Sequence, residues 1–318
     1  MLRRTFSAAL LATAAGRAAA QAASSAAPAA PAAPATPTTP APSAAPAVVQ
    51  TPAAAPMGKW TRDAYIAAMQ ASGRPHEISA GAFEAIQKRK DAALKSIERY
   101  LAQRFGKADP AVLKGFVDLP REYYHYQYAE KRSIAGDTYE SEAKPWAIGF
   151  GSALSDYLGQ AYMTQALQSK PTDTVLEIGT GSGFQSSLLS RIVKSVYSIE
   201  IIEPLGRAVA SIYKPLAIGN VSTKVGDGFY GWPEVAGGFD SIIVTCAAQF
   251  VPPALFKQLK PGGRLLIPIG QPFKRGQFLF IYGKDADGKV TSRKDVGVFF
   301  IPMTGAMMKG QAAGNAKP

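Results

Sequence analysis

The chain has 318 residues, a formal net charge of +12 and one cysteine. The single cysteine excludes an internal disulfide framework, and the length allows one large domain with extensions. The basic balance could favour acidic partners or anionic headgroups. There is no zinc spacing, heptad run or aromatic RNA-binding signature, so neither a nucleic-acid partner nor a metal is expected.

The amino terminus comes first. Met1-Leu-Arg-Arg-Thr-Phe-Ser7 is basic, residues 8–16 are apolar, and Ala18-Ala-Ala20 offers small residues for cleavage. This layout predicts an export signal over residues 1–20, too short to span a bilayer. Arg3-Arg4-Thr5-Phe6, with Arg17 near the cleavage point, resembles a twin-arginine signal and implies a periplasmic or secreted protein; the alternative is cytoplasmic. Residues 21–56 are full of Ala-Pro steps, which remove donors and disfavour helix. They read as a disordered linker reaching up to roughly 100 Å. No later segment has the length and polarity of a transmembrane helix.

From residue 57 the composition is that of a globular protein, and 57–144 reads as a helical N-terminal region. Helical periodicity runs through 60–70 and 80–104. In the second stretch Phe83, Ile86, Ala93, Ile97, Tyr100 and Leu101 share one face, and Ser79 is placed to cap it. Lys88, Lys90, Lys95 and Arg99 are interleaved with Asp91 and Glu98, as on a solvated face. Pro120-Arg121-Glu122 follows, then the aromatics Tyr123, Tyr124, Tyr126 and Tyr128, which suit packing. His76 and His125 have no evident triad or metal partner.

Pro145-Trp-Ala-Ile-Gly-Phe-Gly-Ser-Ala-Leu-Ser155 precedes a helix at 156–167, for which Ser155 is a plausible N-cap. Thr174-Val-Leu-Glu-Ile-Gly-Thr-Gly-Ser-Gly-Phe184 then reads as strand and glycine turn, and 185–193 as the helix after it. Glycines let the backbone turn sharply and let a ligand approach closely. A dinucleotide fingerprint would place its third glycine one residue later than Gly183. Strands are expected at 195–200 and 221–225, the first ending in Glu200, whose carboxylate can accept ribose hydroxyls. Gly226-Asp227-Gly228 is a turn. A buried strand and exit loop over 239–248, a helix at 252–259, and strands at 264–269, 278–282 and 296–301 complete the domain. Cys246 reads as a small core residue. Alternating strands and helices imply a doubly wound, mainly parallel α/β sheet.

The pattern Glu177-x-Gly179-x-Gly181-x-Gly183 resembles the first motif of Rossmann-like S-adenosylmethionine-dependent methyltransferases. Pro120-Arg121-Glu122, the 145–155 segment, Gly226-Asp227-Gly228 with Gly231-Trp232, and Phe300-Ile-Pro-Met-Thr-Gly305 resemble protein-L-isoaspartate O-methyltransferases over residues 115–305. The resemblance implies a methyltransferase domain at 145–305 and a disordered tail at 306–318. It implies S-adenosylmethionine as cofactor, held by Glu177, Gly179, Gly181, Gly183, Glu200, Asp227 and Gly228, with Asp227 facing the adenine amino group. Ser155 would face the carboxylate of an isoaspartyl residue in a damaged protein, and the enzyme would act as a monomer. The family carries Gln-Thr where this chain has Ser152 and Ala153. That departure leaves open a small-molecule or lipid methyltransferase, or a non-catalytic S-adenosylmethionine-binding protein.

Overall fold

Helix α1 (Arg62–Ala71) starts at Thr61, whose hydroxyl accepts the Ala64 N–H. Helix α2 (Ala80–Phe105) starts at Ser79, as its sequence predicts, and ends at Gly106 in the left-handed region. Helix α3 (Pro110–Asp118) is capped by Asp109, with proline in its first turn, where no N–H is needed. A short α4 (Arg121–Tyr124) follows, then two small hairpins, β1 (Tyr126–Gln127) with β2 (Arg132–Ser133), and β3 (Trp146–Gly149) with β4 (Ser152–Leu154). A computed structural model of the protein describes residues 60–271 and 276–309. The expected export signal (1–20) and linker (21–56) lie outside the described residues, as does 310–318 of the expected tail.

The remaining elements alternate: α5 (Tyr157–Leu167), β5 (Thr174–Ile178), α6 (Phe184–Ser190), β6 (Ser195–Glu200), α7 (Glu203–Val209), β7 (Val221–Val225), β8 (Phe239–Val244), α8 (Pro253–Gln258), β9 (Leu259–Ile269), β10 (Gln277–Lys284) and β11 (Val290–Val298). The seven-stranded sheet has the order β11-β10-β9-β8-β5-β6-β7. Strands β5 to β9 pair in parallel, and β10 and β11 continue the sheet antiparallel. The mainly parallel doubly wound sheet is thus the observed fold. The last strand ends at Val298, short of the expected 301, because residues 300–303 leave the ladder and run beside the exit of β8.

Alternation along β5 sends Leu176 and Ile178 to the face covered by α8 and Val175 to the face covered by α5 and α6. The N-terminal helices share a hydrophobic core with Phe184, Leu188, Leu205 and Val209 of α6 and α7. The expected boundary at residues 144/145 is therefore no gap in packing. The expected tail is also corrected at its start. Residues 306–309 form a helical turn, and Met307 is buried in the core beneath the sheet's α8 face.

Candidate active site

The strand order reverses at β5, whose neighbours are β6 on one side and β8 on the other. A crevice opens outside the carboxyl ends of strands at such a point. Here it is a cavity of about 400 Å³, lined by the β3–β4 hairpin and its exit to Ser155, the glycine turn, Glu200, Asp227, the exit of β8 and residues 300–304. That volume is within the range of small-ligand sites.

The glycine turn divides by role. Gly179 and Gly181 line the cavity, and Gly183 does not. A Cβ on Gly181 would meet Ala153 O and Ser152 Oγ at 3.8 Å and Gly179 O at 3.9 Å, all ordinary contact distances, so its open side faces ligand space. A Cβ on Gly183 would lie 2.4 Å from Ile212 Cδ1, and φ is +78°. Gly183 therefore serves the packing of α6 rather than the ligand, which corrects its expected contact with cofactor.

Glu177 is also corrected. It is fully buried, and it pairs in register with Ser198 on β6, whose hydroxyl donates to its Oε2. Period-two alternation turns its side chain to the α6 face, away from the cavity. Burial raises its carboxyl to about 8, with the Ser198 bond opposing, so it is largely protonated at neutral pH. Ser198 passes this support to the turn, since the Thr180 hydroxyl lies 2.7 Å from the Ser198 hydroxyl.

Glu200 ends β6 at the cavity wall. Its Oε2 accepts the Gly181 N–H at 2.8 Å and its Oε1 accepts the Ile202 N–H at 3.0 Å. Burial raises its carboxyl, while these amides hold it down. Each oxygen keeps a second lone pair, which suits a pair of hydroxyls. Asp227 lines the cavity too, and each of its oxygens likewise accepts one backbone amide. Oδ1 accepts the Phe229 N–H at 2.9 Å and Oδ2 accepts the Ala306 N–H at 2.7 Å. Besides any ligand role, Asp227 anchors the carboxy-terminal segment. Gly228 sits where a Cβ would strike Ile178 Cγ2 at 2.3 Å.

Ser155 lines the cavity and does not cap α5. Asp156 does, accepting the Gly159 N–H at 2.7 Å. This overturns the capping alternative and leaves the Ser155 hydroxyl to the cavity.

Several lining residues carry no motif of their own. Thr245 donates to Gly179 O at 2.7 Å and so pins the turn. Gln160 and Met163 on α5, Gln185 on α6 and the 300–304 segment complete the walls. The Phe300-Ile-Pro-Met-Thr-Gly305 motif was the available signal for the last of these. Cys246 is half-buried and packs against the core that contains Leu176 and Ile178, and it also lines the cavity. Burial and the charges of Glu200 and Asp227 push its thiol up, so it stays protonated.

Residues 93–308, well over half of the chain, match the family model described as Protein-L-isoaspartate(D-aspartate) O-methyltransferase (PCMT). A protein-L-isoaspartate O-methyltransferase 1 of Nitrosospira multiformis is 52% identical over 161 residues, covering 51% of this chain and 67% of the relative. A solved protein-L-isoaspartate O-methyltransferase superposes with a TM-score of 0.58 at 27% identity, covering 67% of each chain. A Plasmodium falciparum structure, described as a protein-L-isoaspartate O-methyltransferase in complex with S-adenosyl-L-homocysteine, gives 0.54 at 21% identity, covering 66% of this chain and 97% of the other. With residues 93–308 matched to that model and the glycine turn, Glu200 and the Ser155 loop gathered around one cavity, the chain belongs to the protein-L-isoaspartate(D-aspartate) O-methyltransferase family.

Proposed function

We propose that the protein transfers a methyl group from S-adenosylmethionine to the carboxylate of L-isoaspartyl residues in damaged proteins. The observation that carries this reading is the meeting of Gly181, Glu200, Asp227 and the Ser155 loop around one cavity, in a chain of this family. The cavity fits the cofactor: Gly181 leaves its open side unfilled, and Glu200 keeps two acceptor positions for ribose hydroxyls. When bound, S-adenosylmethionine supplies an electrophilic methyl on a good leaving group.

The chain's own residues then position and enclose. Ser155 donates its hydroxyl to the acceptor carboxylate, which is ionised at neutral pH and needs no base. Residues 300–304 form one side of the cavity, and water displaced by the bound reactants strengthens electrostatic contacts inside. Orientation of the two reactants is the main contribution, as expected for a displacement between ready partners.

The test is methyl transfer from labelled S-adenosylmethionine to an isoaspartyl peptide beside its normal aspartyl twin. Label is expected on the isoaspartyl peptide alone. Cofactor binding with no transfer to either peptide would point to another acceptor or a binding protein.

We further propose that the protein is exported by the twin-arginine-like start, with residues 21–56 as spacer. The support is Arg3-Arg4-Thr5-Phe6, the apolar run at 8–16 and Ala18-Ala-Ala20. Among the described residues, no helix is long and apolar enough to cross a membrane.

A further inference from the structure

Three buried cations brace the N-terminal half. Arg74 donates to the Tyr123 carbonyl at 3.0 Å and stacks on the Tyr123 ring, and Lys90 donates to the Val117 carbonyl at 2.7 Å. Neither Tyr123 nor Val117 lines the cavity. Arg121 is different. It is 1% exposed, and its guanidinium donates from one nitrogen to the Ser155 carbonyl and from another to Gln160 Oε1. Ser155 and Gln160 both line the cavity. The Arg121 Cζ also sits 4.8 Å from the ring centroid of Phe184, the residue after Gly183. One side chain thus joins the serine loop, the first turns of α5 and the start of α6 beyond the glycine turn.

We propose that Arg121 is the positioning residue that holds the Ser155 loop in register with the donor side of the cavity. The proposal rests on the methyl-transfer reading above. Its two hydrogen-bond acceptors are a carbonyl and a carboxamide, and the carboxylate whose charge favours the buried cation is Asp156, which lies between Ser155 and Gln160 in the chain, so the charge pairing also falls at the start of α5. A planar fork meets two acceptors at a fixed angle, which a lysine ammonium on a flexible stem does not do. Burial lowers the guanidinium to about 10, which leaves it cationic at neutral pH. Arg121 touches neither reactant. It acts through the backbone that carries Ser155 and through Gln160. A reacting pair misplaced by about 1 Å loses on the order of 100-fold in rate, so such a brace bears on turnover more than on cofactor affinity.

The test uses the full chain with Arg121→Lys, Arg121→Met and Gln160→Met. Calorimetry gives the S-adenosylmethionine Kd, and initial rates with an isoaspartyl peptide give kcat and KM. Arg121→Met is expected to lower kcat by about 10- to 100-fold with the cofactor Kd within roughly threefold of the parent, and Arg121→Lys to recover only part of the loss. Gln160→Met removes one arm of the fork and is expected to lower kcat several-fold; it carries the test if the Arg121 variants do not fold. Parent-like kcat in the folded variants overturns the proposal. So does a loss of cofactor affinity that parallels the loss of kcat, since that marks a general prop. Amide hydrogen exchange with S-adenosylhomocysteine bound reads the loop without any acceptor. Faster exchange over 149–158, with 179–184 unchanged, supports the brace, and unchanged exchange over both overturns it. A parent enzyme that fails to methylate the peptide therefore defeats the functional reading alone, and the exchange result still decides the role of Arg121.

Discussion

Ser155 stands where the hairpin exit meets the cavity, and Asp156 has already taken the capping duty next to it. Removing the hydroxyl therefore removes a ligand contact and leaves the helix start intact. Ser155→Ala is expected to lower kcat/KM for an isoaspartyl peptide by about 10- to 150-fold, the loss of roughly 1.5–3 kcal/mol for a hydrogen bond to a charged group. Cofactor affinity should stay within a few-fold, and steady-state rates beside calorimetry check both. Glu177 gives a different signature. Its folded carboxyl titrates near 8, against an ordinary value of 4.5, so between these the native state holds a proton the unfolded state has lost. Stability from this group is full below the unfolded value and is lost as pH rises through about 8. Glu177→Gln should remove that part of the slope. The parent should lose on the order of 3 kcal/mol more than the variant between pH 5 and pH 8.5, read by denaturant unfolding at each pH. Equal slopes in the two proteins would show that Glu177 is ionised in the folded state.

At the scale of elements, the carboxy-terminal segment matters as much as the glycine turn. It leaves β11 and runs beside the exit of β8, where Ala247 N–H donates to Ile301 O at 2.8 Å and Met303 N–H donates to Ala247 O at 2.7 Å. Met303 and Met307 bury themselves in the core with Leu176 and Ile178, and the Ala306 amide closes on Asp227. Between them Gly305 adopts φ +73°, and a Cβ there would lie 2.4 Å from Asp227 Oδ2. Gly305→Ala should break this closure by driving a methyl group against Asp227, which itself lines the cavity. The expected result is an S-adenosylmethionine Kd raised by about tenfold, the scale of one charge-assisted hydrogen bond, with faster limited proteolysis within 300–309. Unchanged affinity and cleavage would mean that the segment walls the cavity without needing its latch.

For the whole molecule, the chemistry and the amino terminus pull against each other. S-adenosylmethionine is charged and does not cross a bilayer unaided, so an exported enzyme would lack fresh donor. The twin-arginine route carries folded proteins, which allows the domain to leave with its cofactor bound. Bound cofactor stabilises the fold by RT ln(1 + [L]/Kd), a few kcal/mol well above Kd, and so favours loaded export. Fractionation of cells expressing the full chain, with mass spectrometry of the purified protein, is expected to find mature protein outside the cytoplasm carrying cofactor or its by-product. Uncleaved protein confined to the cytoplasm would end the proposal. Mature protein outside with no cofactor would remove only the loading step.

The sequence by itself determined the order of the seven sheet strands along the chain and the place of the site, while α3, α4, α7 and the two small hairpins were not expected from it. β6 and β7 fall on the expected residues because Val, Ile, Thr and Tyr recur through short runs closed by turns. The α2 start was legible because a serine cap acts on an amide three residues away. The glycine turn marked the cavity because strand, turn and helix are contiguous in the chain. What a side chain faces across the fold was decided only by tertiary structure. Glu177 and Ile178 are neighbours in sequence, yet the pleat sends one beneath α6 and the other to the opposite face of the sheet. Asp156 rather than Ser155 caps α5: both residue types suit an N-cap, and only the folded backbone starts the helix at Tyr157. Asp227 meets Ala306 from 79 positions away, and Arg121 meets Ser155 and Gln160 from 34 and 39. Such contacts have no local period or motif, since they exist only after the sheet has brought its carboxyl ends, the N-terminal helices and the returning chain to one crevice.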